Sequence, residues 1–485
     1  MSKIEVNTVE PQCGTTLTLG ASGDTVTLGC GASQSGFGRT GTVDWVTTVQ
    51  TSTITAANGK GYFVNTTGGG ITANLPAGSA GSIVAFKDYA STFDTNPLTI
   101  TPNGSEKIGG TAGDAVLNTE DQSVTLVYVD STKGWMDIHD STSSVAAAQY
   151  VTATVSGTGN TLTTSGNYKI AKFTGPGTFC VSQAGNSSGS NTVDYLVVAG
   201  GGAGQSKNAR NPSPSAKYGS GGGGAGGLKG SSGAASGCYT AGPAPLVGCV
   251  SALSVSVQGY PITVGAGGNA PPTPAVCSTA SGGSNSSFST VTAHGGGGGG
   301  YGSPASYATA GADGGSGGGG GAGPPSDAGG AGNTPPSSPP QGNNGGFGIS
   351  NQDTAAGGGG GASAVGGDGA STPSPRSSTA GVGGAGITSC ITASPVSYAG
   401  GGGGGAGYPG CGGGTTTPGT GGLGGGGIGG GPPSNPTPND TSDGTAGTAN
   451  TGGGGGGAGG TGSDGSNTGG NGGSGIVIIR YKFQN

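Results

Sequence analysis

The sequence predicts an all-β protein in three parts. Short N-terminal β repeats occupy 1–42, and a β-sandwich-like domain occupies 43–140. A linker at 141–150 then leads into a β-framed bundle of polyglycine-II helices over 151–485. Three observations carry this reading. Seven runs of four or more consecutive glycines lie between Gly221 and Gly457, in a chain with 122 glycines among 485 residues. Apolar stretches that read as buried strands bracket them: Val193-Asp194-Tyr195-Leu196-Val197-Val198-Ala199, Tyr260-Pro261-Ile262-Thr263-Val264 and the terminal Ile476-Val477-Ile478-Ile479-Arg480-Tyr481-Lys482-Phe483. No convincing amphipathic helix occurs anywhere.

Leu17-Thr18-Leu19-Gly20 is echoed nine residues later by Val26-Thr27-Leu28-Gly29. Two such units bury too little surface to fold alone, so the N-terminal part implies partner chains. Residues 52–56, 61–65, 70–75, 82–86, 98–101, 122–129 and 135–138 alternate or run apolar between Gly, Asn, Pro and Asp breaks, the pattern of short strands. Asp130-Ser131-Thr132-Lys133-Gly134 reads as the hairpin loop between the last two. Strands return at 168–173 and 178–181.

Glycine loses more conformational freedom on folding than any other residue. A flexible linker is therefore the competing reading of 200–475. Disorder goes with high net charge and few apolar residues, but only 7% of residues are charged, and a linker has no reason to end in a buried strand. The polyglycine-II helix has three residues per turn and no internal hydrogen bonds. Without side chains such helices can pack at backbone contact distance, each N–H and C=O pairing with a neighbour. Any Cβ inside is expected to push them apart. Gly221-Gly222-Gly223-Gly224-Ala225-Gly226 recurs in similar form at 317–323, 357–363, 401–407 and 452–459, at irregular spacing. Constant rods joined by loops of varying length fit this better than a solenoid, with the loops emerging at the two ends of the bundle.

The net charge of −6 divides as −7 over 1–150 and +1 over 151–485, which argues against a nucleic-acid partner. The start, Met-Ser-Lys-Ile-Glu-Val, has no signal-peptide core, and no span is long enough for membrane insertion. The eight cysteines form no CxxC pair, so no zinc site is expected. Cys238 and Cys249 could staple one loop, or all eight could be free thiols of a protein made in a reducing cytoplasm.

Val197-Val198-Ala199-Gly200-Gly201-Gly202-Ala203-Gly204 imitates a dinucleotide-binding turn. Pro212 and Pro214 follow instead of a helix, and the next acidic residue is Asp313, so no nucleotide is expected. Gly59-Lys60 is followed by Gly61, so there is no P-loop. His139 and His294 are the only histidines, and Asp88 and Asp94 read as turn carboxylates. No enzyme, cofactor or metal is expected on these residues. Aromatic side chains between the glycine runs are more suggestive. Tyr218, Tyr239, Tyr301, Tyr307, Phe347, Tyr398 and Tyr408 are candidate binding residues, since such rings give rigid amphipathic contact area. Packing as lids over the bundle ends is the alternative for each.

The N-terminal Met-Ser-Lys-Ile-Glu-Val-Asn-Thr-Val-Glu-Pro-Gln, Gly-Thr-Thr-Leu-Thr-Leu-Gly-Ala-Ser-Gly-Asp-Thr at 14–25 and Gly-Tyr-Phe-Val-Asn-Thr at 61–66 resemble fibre proteins of tailed bacteriophages, especially marine ones. So does Val127-Tyr128-Val129-Asp130-Ser131-Thr132-Lys133-Gly134-Trp135. The part from Tyr195-Leu196-Val197-Val198-Ala199-Gly200-Gly201-Gly202 to Gly473-Ser474-Gly475-Ile476-Val477-Ile478-Ile479-Arg480-Tyr481 is similar to the glycine-rich domains of phage adhesins. The resemblance implies a homotrimeric fibre on the virion surface, made in the bacterial host cytoplasm. Its N-terminus would attach to other virion proteins, and its glycine-rich tip would bind a host-surface glycan or outer-membrane protein through loops. Two other expectations stay open: a structural capsid or tail decoration that binds no receptor, and a tailspike-type glycan hydrolase.

Overall fold

A computed structural model describes residues 43–140, 148–186, 189–207, 218–237, 239–243, 246–247, 250–273, 280–303, 308–324, 328–349, 354–373, 376–407, 415–431, 442–460 and 466–484. The N-terminal repeats, with Leu17, Leu19, Val26 and Leu28, lie outside the described residues. The chain divides into two compact units, Met1–Ala147 and Ala148–Asn485. The described structure is all-β apart from one short 3-10 turn at Ala234–Ser236.

In the first unit, β1 (Asp44–Gln50), β2 (Ile54–Thr55), β3 (Lys60–Val64), β4 (Ile71–Asn74), β5 (Ile83–Asp88) and β6 (Leu98–Thr101) alternate between two sheets. β1, β3 and β5 pair in parallel in one sheet, and β2, β4 and β6 in parallel in the other. The chain therefore coils. It continues through β7 (Lys107–Ile108), β8 (Thr111–Ala112), β9 (Ala115–Leu117), β10 (Ser123–Asp130) and β11 (Gly134–Asp140). β9 ends the smaller sheet against β6, and the β10–β11 hairpin extends the larger one from β5, both antiparallel, with β7 and β8 beyond β11.

One core lies between the sheets, supplied by alternate residues such as Ala73, Ile100, Val84, Phe86 and Leu126. This matches the two-sheet expectation, but the pairing of the first six strands is parallel. Period-two alternation marks buried faces and is blind to strand direction. β1 itself escaped notice because it is a largely exposed edge strand.

In the second unit the terminal strand Ile476–Lys482 is central. It pairs antiparallel with Tyr168–Phe173 on one side and Thr192–Val198 on the other. Its side chains feed two cores, as the period of two requires. Val477, Ile479 and Tyr481 join Phe173, Phe179 and Phe288 on one face. Ile476 and Ile478 join Leu196, Leu228 and Ile387 on the other. The first core is closed by a second sheet that includes Thr152–Val155, Gly177–Gln183 and Gly259–Thr263.

The glycine segments carry no strand pairing, yet their backbone groups bond to one another in a strict pattern. In 221–226, Gly221 and Gly224 donate to Gly300 and Gly297, Gly222 and Ala225 to Gly357 and Gly360, and Gly223 and Gly226 to Gly455 and Gly452, at 2.8–3.2 Å. Every third residue thus faces the same neighbour. The carbonyls repeat this with three further segments. Gly221 and Gly224 accept from Gln205 and Gly202, Gly222 and Ala225 from Gly319 and Ser316, and Ser220 and Gly223 from Gly405 and Gly402. One segment is therefore hydrogen-bonded to six others. Segments 200–205 and 400–406 follow the same period: Gly200 and Ala203 donate to Ser284 and Ser281, and Gly400, Gly403 and Ala406 to Gly424, Gly427 and Gly430.

Close packing explains the glycines. A Cβ built on Gly298 or Gly403 would fall inside the carbonyl of Ala280 or Gly419. The expectation that no Cβ fits inside is corrected at Ala203, Ala225, Ala322, Ala406 and Ala458, which are fully buried. Ala225 faces the core around Leu228, and Ala406 packs with Ala355 and Ala380. At these two positions the methyl group meets other apolar carbons.

Two outcomes follow. Removing 476–483 withdraws the central strand from both cores, so residues 148–485 are expected to lose protease resistance as a whole. A trimmed chain whose glycine region still resists digestion would disprove that dependence. Gly403→Val is expected to lower the melting temperature steeply, since each buried polar group left unpaired costs about 1–3 kcal/mol. An unchanged thermal transition would show that the segments do not pack as described.

Candidate functional site

The glycine segments alternate in direction, and this sorts what joins them. Segment 200–205 leaves strand Thr192–Val198, and 221–226 leads into Leu228–Gly230. Segment 280–285 leads into Ser286–Phe288, 380–386 into Ile387–Ser389, and 467–475 into the terminal strand. Segments 295–301 and 399–406 begin just after Val291–Ala293 and Val396–Tyr398. The antiparallel registers put all these elements at one end.

At the other end the chain runs out of the described residues and returns: after 207, 303, 324, 349, 407, 431 and 460, resuming at 218, 308, 328, 354, 415, 442 and 466. Bonds among these margins tie them together. Lys207 N–H donates to Asn467 O, Gly219 N–H to Thr354 O, Ala322 N–H to Gly219 O, Ser303 N–H to Ala322 O, and Gly459 N–H to Ser442 O. Links stand at the strand end as well: the 333–340 link is held there by Leu228 N–H donating to Gln341 O and Lys229 Nζ to Pro339 O. The strand end is served by short turns such as 314–316 and 423–425 and by the longer 333–340 link.

The candidate aromatics divide between the two ends. Tyr239 and Tyr398 belong to the strand end. Tyr239 stacks on buried Arg480 at 5.1 Å, with Tyr168 also on the guanidinium at 4.8 Å. Arg480 donates from Nε to Ser236 O (3.0 Å) and from Nη1 to Ile391 O (3.3 Å). Across the strand pair, buried Asp194 accepts from Ser231 Oγ and Ser236 Oγ, both at 2.6 Å, and from the N–H of Gly233 and Ser236. Burial and the Asp194 charge push the Tyr239 phenol well up from its ordinary range. Tyr398 is 2% exposed, and burial pushes its phenol up to about 12. These two rings are occupied by packing.

Tyr218 and Tyr301 stand at the loop end, both half-buried, with Tyr218 beside Gly302 and Gly323. Tyr301 N–H donates to Thr309 Oγ1 at 2.7 Å. Phe347 lies near the same end on an outer segment, 54% exposed, its N–H held by Asp368 Oδ1 at 2.8 Å. Tyr307 and Tyr408 lie outside the described residues.

Polar side chains that the sequence did not single out finish the lattice here: Gln205, Ser206, Lys207, Ser220, Ser303, Thr354, Ser442 and Asn467 are all buried. Lys207 Nζ donates to Tyr218 O at 2.6 Å. Burial pulls its ammonium down to about 7. The only sequence signal for this layer is that Ser, Gln, Thr or Asn interrupts glycine where a run ends.

Elsewhere, Asp88 is buried and accepts from the N–H of Ala90, Thr92, Phe93 and Asp121, which makes it an organiser of turns. His139 is exposed, and His294 contacts Gln341. Cys180 and Cys390 are free thiols, and the other six cysteines lie outside the described residues. Among the described residues, no three His, Cys, Asp or Glu side chains gather to hold a metal, and no helix is long and apolar enough to cross a membrane.

Residues 174–482 match a family model described as glycine-rich domain, well over half of the chain. The chain belongs to the glycine-rich domain family. The matched residues contain every hydrogen-bonded glycine segment described above and most of the strand frame, but not Thr152–Val155 or Tyr168–Phe173. Residues 19–150 match the model described as Bacteriophage T4 gp9/10-like protein, N-terminal. The baseplate wedge protein gp10 of Enterobacteria phage T4 is 33% identical over 79 residues, which are 16% of this chain and 13% of that protein. The chain thus spans only a small part of the length of that relative. Together the matches are those of a phage fibre-like structural protein ending in a glycine-rich family domain.

Lys207 makes a pH test of the loop end. Its folded-state pKa lies below the ordinary lysine value of 10.5, so the unfolded chain binds more protons between about pH 7 and 10.5. Stability from this group therefore rises with pH across that window and is lowest below it. Lys207→Met is expected to raise the melting temperature at pH 6.5 and to change it much less at pH 10. An equal shift at both pH values would refute a desolvated ammonium.

Proposed function

We propose that this protein is a bacteriophage virion fibre or adhesin that binds a host-cell surface receptor through the loop end of its glycine-rich domain. The single observation behind this reading is that seven stretches of chain leave and rejoin the bundle at the end opposite its strands. A rigid bundle held by strands at one end carries connections of varying length at the other, the arrangement by which scaffolds present binding loops. The three-residue period of the hydrogen bonds supports polyglycine-II helices as the scaffold. The receptor class is a surface glycan or an outer-membrane protein. The likeness of 19–150 to the N-terminal part of phage baseplate-type proteins supports attachment of that part to other virion proteins, with the chain at the virion surface as a homotrimer.

The residues proposed to carry binding are Tyr218, Tyr301, Tyr307, Phe347 and Tyr408. At a true hot spot, truncation to alanine is expected to weaken host adsorption roughly 30-fold, from about 2 kcal/mol per hot spot at 1.4 kcal/mol per tenfold. Tyr239→Ala and Tyr398→Ala should instead lower the melting temperature, because those rings sit in the frame. Adsorption assays on the five single variants and their combination decide the matter. Parental adsorption by all of them would point to a decoration that binds no receptor, and release of reducing sugar from host polysaccharide would point to a hydrolase.

A further inference from the structure

We propose that a cavity at the strand end of the glycine-rich unit is a binding site for one acidic sugar residue, a hexuronate held by its carboxylate. Strands Thr192–Val198 and Leu228–Gly230, the hairpin of Ser286–Phe288 with Val291–Ala293, and the 333–340 link contribute its walls. Lys229 pairs with Val197, so its side chain rises on the same face as that of Tyr195, two residues along the neighbouring strand. Lys229 Nζ donates to Pro339 O at 3.2 Å, which ties the link to the strand. The link is also fixed from within. Asn333 Oδ1 accepts from Ser337 N–H, Ser337 Oγ and Gln341 N–H at 2.9–3.2 Å. The cavity is therefore bounded by held walls.

Lys229 brings a positive charge to this space that no neighbour answers. An ammonium has three donors, and the Pro339 carbonyl takes one. Among the described residues no carboxylate makes an ion pair with Lys229. Asp194, on the adjacent strand, alternates to the opposite face and is occupied by Ser231, Ser236 and the Gly233 N–H. Burial pulls the Lys229 ammonium below the ordinary lysine range. A partly desolvated cation gains from an anion that accepts its remaining donors.

The rest of the lining says what carries the anion. Tyr195, Thr290, Thr292 and Ser338 bring hydroxyls, and none of the four has a hydrogen-bond partner among the described residues. Leu246, Val250 and Val291 add apolar wall. A pyranose ring matches both, with hydroxyls around its edge and C–H groups on its face. A purely apolar acid would leave the hydroxyls unmatched, and a bare inorganic anion would leave the apolar wall untouched. The cavity holds about 250 Å³. Sites for drug-sized ligands hold about 300–1,000 Å³, so this one takes a single ring. Thr290 and Ser338 are exposed, so the cavity opens to solvent and the ring can remain joined to a longer glycan. The site stands apart from the loop end and does not depend on receptor binding there.

The test is saturation-transfer NMR on the purified full-length chain, with methyl β-D-glucuronide, methyl β-D-glucoside and sodium acetate as probes. The glucuronide should bind at least tenfold more tightly than either of the other two. Lys229→Met should weaken it at least tenfold, and Lys229→Arg should retain most of the affinity. Thr290→Trp, at an exposed turn position, should block the cavity while the ammonium stays in place. An unchanged melting temperature should accompany the loss in both variants. No transfer to the glucuronide from the parent chain would overturn the proposal. So would equal affinity for glucuronide and glucoside, acetate binding as tight as that of the glucuronide, or glucuronide binding that survives both Lys229→Met and Thr290→Trp.

Discussion

Every residue of segment 221–226 has a backbone donor and acceptor, and none of the donors finds its partner within the segment. The rest of the glycine-rich unit depends on that constraint. Buried peptide groups must be paired, and a chain with a period of three can pair them only with neighbours on several sides. Six neighbours surround the central segment, so no pair of segments is stable apart from the others. Fixing one residue costs about 1–2 kcal/mol of backbone entropy. The offset comes from many bonds formed together and from the apolar frame that anchors the segment ends. The frame and the lattice are thus parts of one cooperative structure.

Much of this architecture is legible in the sequence because it rests on extreme residue choices. Runs of pure glycine next to Ile476–Lys482 leave few alternatives to close-packed backbone, and the terminal strand is as buried as its composition implied. The parallel coil of β1–β6 was not legible, because short alternating strands look the same in either direction. Which links share an end was hidden for a related reason. Run length says how far a rod reaches, and only the register of its bonds says which way it points.

The binding candidates show the same limit at the level of single residues. Tyr239 and Tyr398 sit between glycine-rich stretches just as Tyr218 and Tyr301 do, and composition treats the four alike. What separates them is a local strand. Val396–Tyr398 is the second arm of a hairpin with Ile387–Ser389, which draws Tyr398 into the core, and Tyr239 is claimed by Arg480 of the terminal strand. Lys207 carries no signal in the sequence, because a lone lysine reads as a solvated charge. Its burial comes from segments far away in sequence, with Asn467 next to it.

The placing of links at the ends of the rods has a further consequence for change over time. Lengthening a link there adds only closure entropy, about 0.6 kcal/mol per doubling of its length, and leaves the register of every rod untouched. A single added residue within a rod would instead rotate each later N–H by one-third of a turn, onto the wrong neighbour. Insertions and deletions are therefore filtered by location. The same fold that forbids almost any alteration in its interior leaves its links open to recombination, one by one, with no need for compensating changes elsewhere.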